Sequence, residues 1–345
     1  MTGHLHIRSA GPALSLQDLG RTGYLARGLT RGGAADLLAL HEGAALLGQR
    51  ADCAALEMMG FGGTFEASVD TVIALTGARM AATLDGKPLV WNASHSLPAG
   101  AQLIIGGVQA GTYGYLHVAG GFDAPVEMGA RSAHLTAGIG GFVTQGDALP
   151  LTGPMAAGAG RCLTPQDRLT GGPIRITTSF QSQLFSQDTQ DRFTQTAFRR
   201  DARANRQGVR LATDADGFHA EGGLSIVSEV ITTGDIQIAG DGAPYVLMCE
   251  SQTTGGYPRI GTVIPADLPK VAQAASGAPL TFTRITLDQA IDDERRARAD
   301  IKALPTQVMP LIRDPHDIAD LLSYQLISGA ISATDDPFAP TGDTQ

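Results

Sequence analysis

The sequence predicts a mainly β protein with few short helices. Short β-branched and aromatic runs recur up to about residue 285, among them VIALT (72–76) and the alternating YGYLHVA (113–119). Turn signals punctuate these runs: DGKP at 85–88, Pro98-Ala-Gly before QLII (102–105), GDALPL at 146–151 and GAPLTF at 277–282. Glycine supplies 44 of the 345 residues without a period, which excludes collagen and fits many tight turns between strands.

The expected elements follow in order. Ala34–Gly48 carries apolar residues at helical spacing and ends at a glycine suited to a C-cap. Two β units of roughly 1–165 and 166–290 are expected, joined near the polar, poorly patterned segment 179–210. Turn-then-strand punctuation recurs in both halves, a weak sign of related units. Leu268–Ala275 suggests a short helix, and the charged stretch Thr286–Leu304 a solvated one. Asp314-Pro-His opens a C-terminal helix with Ile318, Leu321, Leu322 and Gln325 on one face, within a helical tail of 291–345 whose polar end is expected to be disordered.

Composition narrows the function. Apolar residues make up 43% and mean hydropathy is +0.02, as in a soluble globular chain with a sizeable core. Net charge is −9 with no basic stripe among aromatics, which argues against nucleic acid. The N-terminus lacks a signal-peptide pattern, and apolar runs stop short of a membrane span. Three scattered cysteines, Cys53, Cys162 and Cys249, fit reduced thiols and a cytoplasmic location.

Motifs that announce an enzyme are missing. There is no P-loop, no GxGxxG opening a helix and no GxSxG. His4 and His6 share a strand face, but two ligands do not make a metal site and no metal is expected. Catalysis would then rest on positioning and hydrogen bonding. Three polar clusters qualify: QDLGRTGY (17–24) with Arg21 and Tyr24, GARS (129–132) with Arg131, and QTTGGY (252–257). In the last, Gln252, Thr253 and Thr254 offer donors and acceptors, and Gly255 and Gly256 allow close backbone approach. The plainer reading is that each is a turn closing strands.

These clusters sit in longer stretches: SLQDLGRTGYLARGL (15–29), ALEMMGFGGTFEA (55–67), VIALTGARMAATLDGKP (72–88), LHVAGGFDAPVEMGARSAHLTAGIGGF (116–142), GDALPL (146–151) and SQTTGGYPRIGTVIPADLPKVAQ (251–273). In this order they resemble allophanate hydrolase subunit 2, the biotin-dependent carboxyltransferase family. That family includes the C subunit of 5-oxoprolinase and the carboxyltransferase region of urea carboxylase.

The resemblance implies two cyclophilin-like β-barrel units. It also implies a partner resembling allophanate hydrolase subunit 1, which is the B subunit in 5-oxoprolinase. A protein like the A subunit would complete a complex that opens 5-oxoproline to glutamate with ATP. The alternative is carboxyl transfer from carboxybiotin on a separate carrier to urea or a related amide. A third reading is a non-catalytic regulatory binding protein. Arg21, Tyr24, Arg131, Gln252 and Thr253 are the implied catalytic set, with Thr254, Gly255, Gly256, Tyr257 and Arg210 binding substrate. Where the family carries a motif like SDRMGYRL, this chain reads ANRQGVRL (204–211): Arg206, Gly208 and Arg210 match, whereas Asn205, Gln207 and Val209 depart.

Overall fold

The computed structural model describes residues 3–153, 158–221, 223 and 226–312. The first part contains β1 (His4–Ala10), β2 (Leu14–Gln17), α1 (Leu37–Leu47), β3 (Ala55–Met59), β4 (Phe61–Ala67), β5 (Thr71–Leu84), β6 (Lys87–Pro88), β7 (Ala93–Leu97), β8 (Gln102–Val118), β9 (Ala148–Pro150) and β10 (Arg161–Cys162). The second contains β11 (Gly172–Thr177), α2 (Gln187–Gln195), β12 (Phe198–Arg200), β13 (Gly208–Ala212), β14 (Glu229–Val230), β15 (Asp235–Ile238), β16 (Pro244–Leu247), β17 (Thr254–Gly255), β18 (Arg259–Val263), α3 (Leu268–Gln273) and β19 (Pro279–Arg284). The chain then forms α4 (Leu287–Gln307) and β20 (Met309–Pro310).

An 11-stranded sheet runs β20-β10-β7-β5-β8-β4-β1-β9, with β2 and β3 branching from β8 and β6 pairing β5. A closed barrel follows in the order β11-β18-β15-β16-β13-β12-β19. The long pair β5 and β8 organises the sheet. It pairs from Ile73↔Val118 to Leu84↔Leu103, with register shifts between Gly77 and Ala82. The strands expected at 102–105 and 113–119 are therefore one. The glycines between them belong to a bulged, bending strand, where Gly111 takes φ +91.

Helix α1 has Asp36 as N-cap, accepting from Ala39 N at 3.3 Å, and ends on Gly48 at φ +66. Gly43 lets the helix lie against β8, since a Cβ there would stand 2.4 Å from the His117 ring. Helix α2 escapes the sequence pattern because one apolar residue, Phe193, is all it buries. Phe193 joins Phe198, Phe218 and Phe282 in an aromatic cluster with ring centroids 5.0–5.7 Å apart.

Helix α4 starts with a capping box of Thr286 and Gln289 and returns to the first sheet. Leu304 packs with Leu46 and Leu47 of α1, and β20 pairs β10. The stretch expected to begin a tail at 291 is thus partly built into the fold. The amphipathic segment from Asp314 lies outside the described residues. No helix among the described residues is long and apolar enough to cross a membrane.

The seam between sheet and barrel is packed and polar at once. One core cluster joins Ala39, Leu40, Tyr113 and Tyr115 to barrel residues such as Ile236 and Val271. Buried Arg168 crosses from the start of the barrel region to α1, meeting Asp36 at 2.8 Å and both Glu42 oxygens at 2.8 and 2.6 Å. Such a pair contributes alignment more than net stability, because desolvation offsets most of the attraction.

Candidate active site

Four loops meet at the seam: 18–33 before α1, 127–142 after β8, 204–207 between β12 and β13, and 249–256 after β16. Arg206 ties them together. Its Nε donates to Glu250 Oε1 at 2.7 Å, its Nη2 to the Gly33 carbonyl at 2.6 Å, and its Nη1 to Glu57 Oε1. Glu57 also accepts from Ala35 N at 2.9 Å and from the Tyr115 hydroxyl at 2.7 Å. All three charged groups are at least nine-tenths buried. Burial opposes the charge of Glu250, but the charge and hydrogen bond of Arg206 outweigh it and hold this carboxyl below its ordinary range.

Thr136 sits above Glu250. Its N–H and hydroxyl both donate to Glu250 Oε2, at 3.0 and 3.1 Å, and its hydroxyl accepts from Gln207 Nε2 at 3.1 Å. The Thr136 side divides two chambers. The smaller, about 200 Å³, holds Glu57, Tyr113, Asn205 and Arg206. The larger, about 340 Å³, holds Thr30, His134 and residues 251–254.

His134 is oriented within the larger chamber. Its Nδ1 accepts from Ala137 N at 3.2 Å, so the ring proton resides on Nε2, 3.0 Å from Thr30 Oγ1. The Thr30 hydroxyl then donates to the Ser251 carbonyl at 3.1 Å. The result is a directional chain from the sheet side to the barrel side. Burial lowers the His134 pKa; Glu250, 4.0 Å away, pulls it up, and Arg21 and Arg206 push it down. The imidazole is therefore a neutral hydrogen-bonding group at ordinary pH.

The expected site residues divide between this cleft and its surroundings. Gln252, Thr253 and Thr254 line the larger chamber. Arg21 is 1% exposed and braces the loop behind His134, donating to Ser132 O at 2.5 Å, while its Nη1 has no partner. Gly32 separates the two, because a Cβ there would meet the His134 ring at 2.9 Å and Arg21 Nη1 at 3.5 Å. Tyr24 precedes the 3-10 turn Leu25–Arg27 and packs against Arg27, outside both chambers. Arg131 faces a separate cavity of about 320 Å³ with Asp18 and Cys53.

Close packing accounts for both glycines. A Cβ on Gly255 would stand 2.4 Å from Gln237 Nε2, and the Gly256 carbonyl accepts from Ile226 N. Tyr257 is exposed and Arg210 is held by Asp201 and Asp241 on the barrel wall, neither lining the chambers. Asn205 keeps its turn: Oδ1 accepts from Gln207 N at 2.8 Å and Gly208 N at 3.3 Å, a role that a carboxylate would also fill. Val209 is 2% exposed in the barrel core, where a bare aliphatic side chain fits.

Thr30, Glu57, His134, Thr136 and Glu250 were not singled out by sequence. Glu57 and Glu250 carried a usable signal, an acid inside an apolar run (ALEMM, VLMCE), since buried charges are nearly always paired. His134 gave none, because histidine spacing speaks only to metal sites.

Residues 27–284 match the family described as "Carboxyltransferase domain, subdomain A and B". The chain belongs to that family. Among curated relatives of this carboxyltransferase-domain chain, the C subunit of 5-oxoprolinase from Escherichia coli (strain K12) is 34% identical over 298 residues, covering 83% of this chain and 93% of the relative. Urea amidolyase of Lachancea kluyveri is 26% identical, covering 82% of this chain but 17% of that protein. Among solved structures, TTHA0988 superposes with a TM-score of 0.75 at 29% identity, covering 82% of this chain and 56% of that one. The mainly β fold expected from sequence is the fold of this family.

Proposed function

We propose that this chain is the C subunit of a 5-oxoprolinase, acting with B-like and A-like subunits to open 5-oxoproline to glutamate with hydrolysis of ATP. The observation that carries the reading is end-to-end similarity to a relative so named, of which the chain covers 93%. The site is chemically suited to it. Ring opening breaks the lactam C–N bond, adds water at the carbonyl carbon and loads negative charge on the carbonyl oxygen. The Thr253 hydroxyl and the Gln252 amide, around a chamber of about 340 Å³, are donors of the kind that stabilise such charge, and Thr30, whose own proton goes to the Ser251 carbonyl, fixes the segment that carries them. Neutral His134 orients Thr30 without bringing a competing cation.

The test is glutamate release from 5-oxoproline and ATP by the assembled three-component complex, with each component omitted in turn. Glutamate that requires this chain supports the reading. An assembled complex that makes none refutes it. A second reading, carboxyl transfer from carboxybiotin to urea or a related amide, draws support from the family description and the urea amidolyase relative. It predicts carboxybiotin-dependent carboxylation of urea by the same chain.

A further inference from the structure

The seam has a second face. Segments 30–32 and 249–251 run side by side, with Gly32 N donating to the Cys249 carbonyl at 3.0 Å and Thr30 Oγ1 to the Ser251 carbonyl at 3.1 Å. The bridge separates two cavities. Thr30 and Ser251 line the 340 Å³ chamber, whereas Arg31 and Cys249 line a different cavity of about 790 Å³. Its volume lies within the range of small-molecule sites. Helix α1, the turn Pro265–Asp267 running into α3, and α4 form the remaining walls.

Charge is unevenly balanced inside it. Arg168 is taken by Asp36 and Glu42, and Arg175 by Asp267 and Asp293. Two cations remain. Arg31 donates to one backbone carbonyl, that of Leu19, at 3.2 Å, and Lys270 to one, that of Pro173, at 3.1 Å. Among the described residues neither forms an ion pair with a carboxylate. Both are half-buried, and burial is what lowers the Arg31 pKa. His41, also half-buried on this wall, is kept neutral by burial. The acids without a cation partner here, Asp167 and Asp300, are exposed at the rim, and Glu294 is held by Arg298 at 3.0 Å. A sheltered guanidinium without a counter-charge gains most from an anion, because its desolvation cost has already been met.

We propose that this cavity is a second ligand site, distinct from the chambers at Thr136, and that it binds a small organic anion. The carboxylate or phosphate of the ligand pairs with Arg31, Lys270 adds positive charge, and an uncharged body rests on Leu37, Leu38 and Met248.

Isothermal titration of the full chain with glutarate, and separately with adenosine monophosphate, tests the site and distinguishes the two anion sources. Saturable binding of either, weakened about tenfold or more by Arg31→Met and at least about threefold by Lys270→Met, is expected. Thr30→Val, on the opposite face of the bridge, leaves that affinity within about twofold. Absence of saturable binding by both probes overturns the proposal. So does binding that survives Lys270→Met unchanged, a variant that keeps the test decisive if Arg31→Met fails to fold. Loss of the same binding in Thr30→Val places the ligand in the chamber at Thr136 and also refutes a second site.

Discussion

Gln273 of α3 donates from Nε2 to Asp36 Oδ2 at 2.8 Å, across the seam between barrel and sheet. The same amide donates to the Tyr113 carbonyl at 2.8 Å, while its Oε1 accepts from Thr112 N and Tyr113 N, both at 3.0 Å. With 0% exposure, Gln273 acts as a peptide group inserted into the middle of β8. Asp36 in turn caps α1 and receives Arg168. One side chain therefore fixes where α1 and the loop before it stand relative to the barrel.

Replacing Gln273 with Leu leaves two backbone N–H groups and a carbonyl buried without partners. We expect a loss of about 3 kcal/mol or more in chemical denaturation. A loss below about 0.5 kcal/mol would show that water satisfies these groups and that the amide does not hold the seam.

Arg206→Met removes the cation shared by Glu57 and Glu250 and strands two carboxylates. The expected destabilisation is about 3–5 kcal/mol, accompanied by loss of glutamate formation in the complex. Arg206→Lys does not restore either property, since one ammonium cannot reach Glu57, Glu250 and the Gly33 carbonyl together. Wild-type stability in Arg206→Lys, read by urea unfolding, would contradict this.

Thr30→Val keeps shape but cuts the chain from His134 to the Ser251 carbonyl. Turnover of 5-oxoproline by the complex should fall about tenfold to a hundredfold, mainly in kcat. A change confined to KM would assign Thr30 to ground-state binding alone.

Asn205→Asp tests the departure from the family motif. The turn acceptor Oδ1 is retained, so stability should change by no more than about 0.5 kcal/mol. The added charge lies in the smaller chamber, across Thr136 from the chamber proposed for the substrate, so steady-state kinetics should report a KM within about twofold of wild type. A KM raised about tenfold for an anionic substrate would place the substrate in the smaller chamber instead.

Acidification should destabilise the protein earlier than carboxylates alone would. His117, wholly buried beside Thr76, has its pKa lowered by burial from 6.5 to about 3. Below pH 6.5 the unfolded chain takes up a proton that the folded state refuses, so stability is full above 6.5 and falls as pH drops toward 3. The loss from this group is on the order of 4 kcal/mol. Burial shifts His41, His95 and His134 in the same direction. Unfolding free energies measured from pH 7.5 to 4 should therefore slope downward from about 6.5, and less so in His117→Gln. A flat profile above pH 4.5 would contradict the shift.

Local signals were readable wherever they were self-sufficient. The Gly48 cap of α1, the Asp85-Gly86 turn and the alternation in the second half of β8 follow from residues close in sequence. Helix α2 was not readable, because Ser186 capping Thr189 N and one buried phenylalanine leave almost no period. The site was partly readable. Gln252, Thr253 and Thr254 look like ligand-facing residues and do line a chamber. Arg131 and Tyr257 looked equivalent, yet the fold turns them elsewhere.

The mainly β class, many of the turns, three of the helices and membership of a carboxyltransferase family are legible in the residues alone, since these rest on local preference and ordered motifs. Which polar residues act together is set by packing between distant segments. Arg206 meets a glutamate 149 positions away and Gln273 an aspartate 237 positions away. Partners so distant are chosen by burial, where an unpaired charge or amide is costly enough to demand one and where the packed seam leaves a single place to find it.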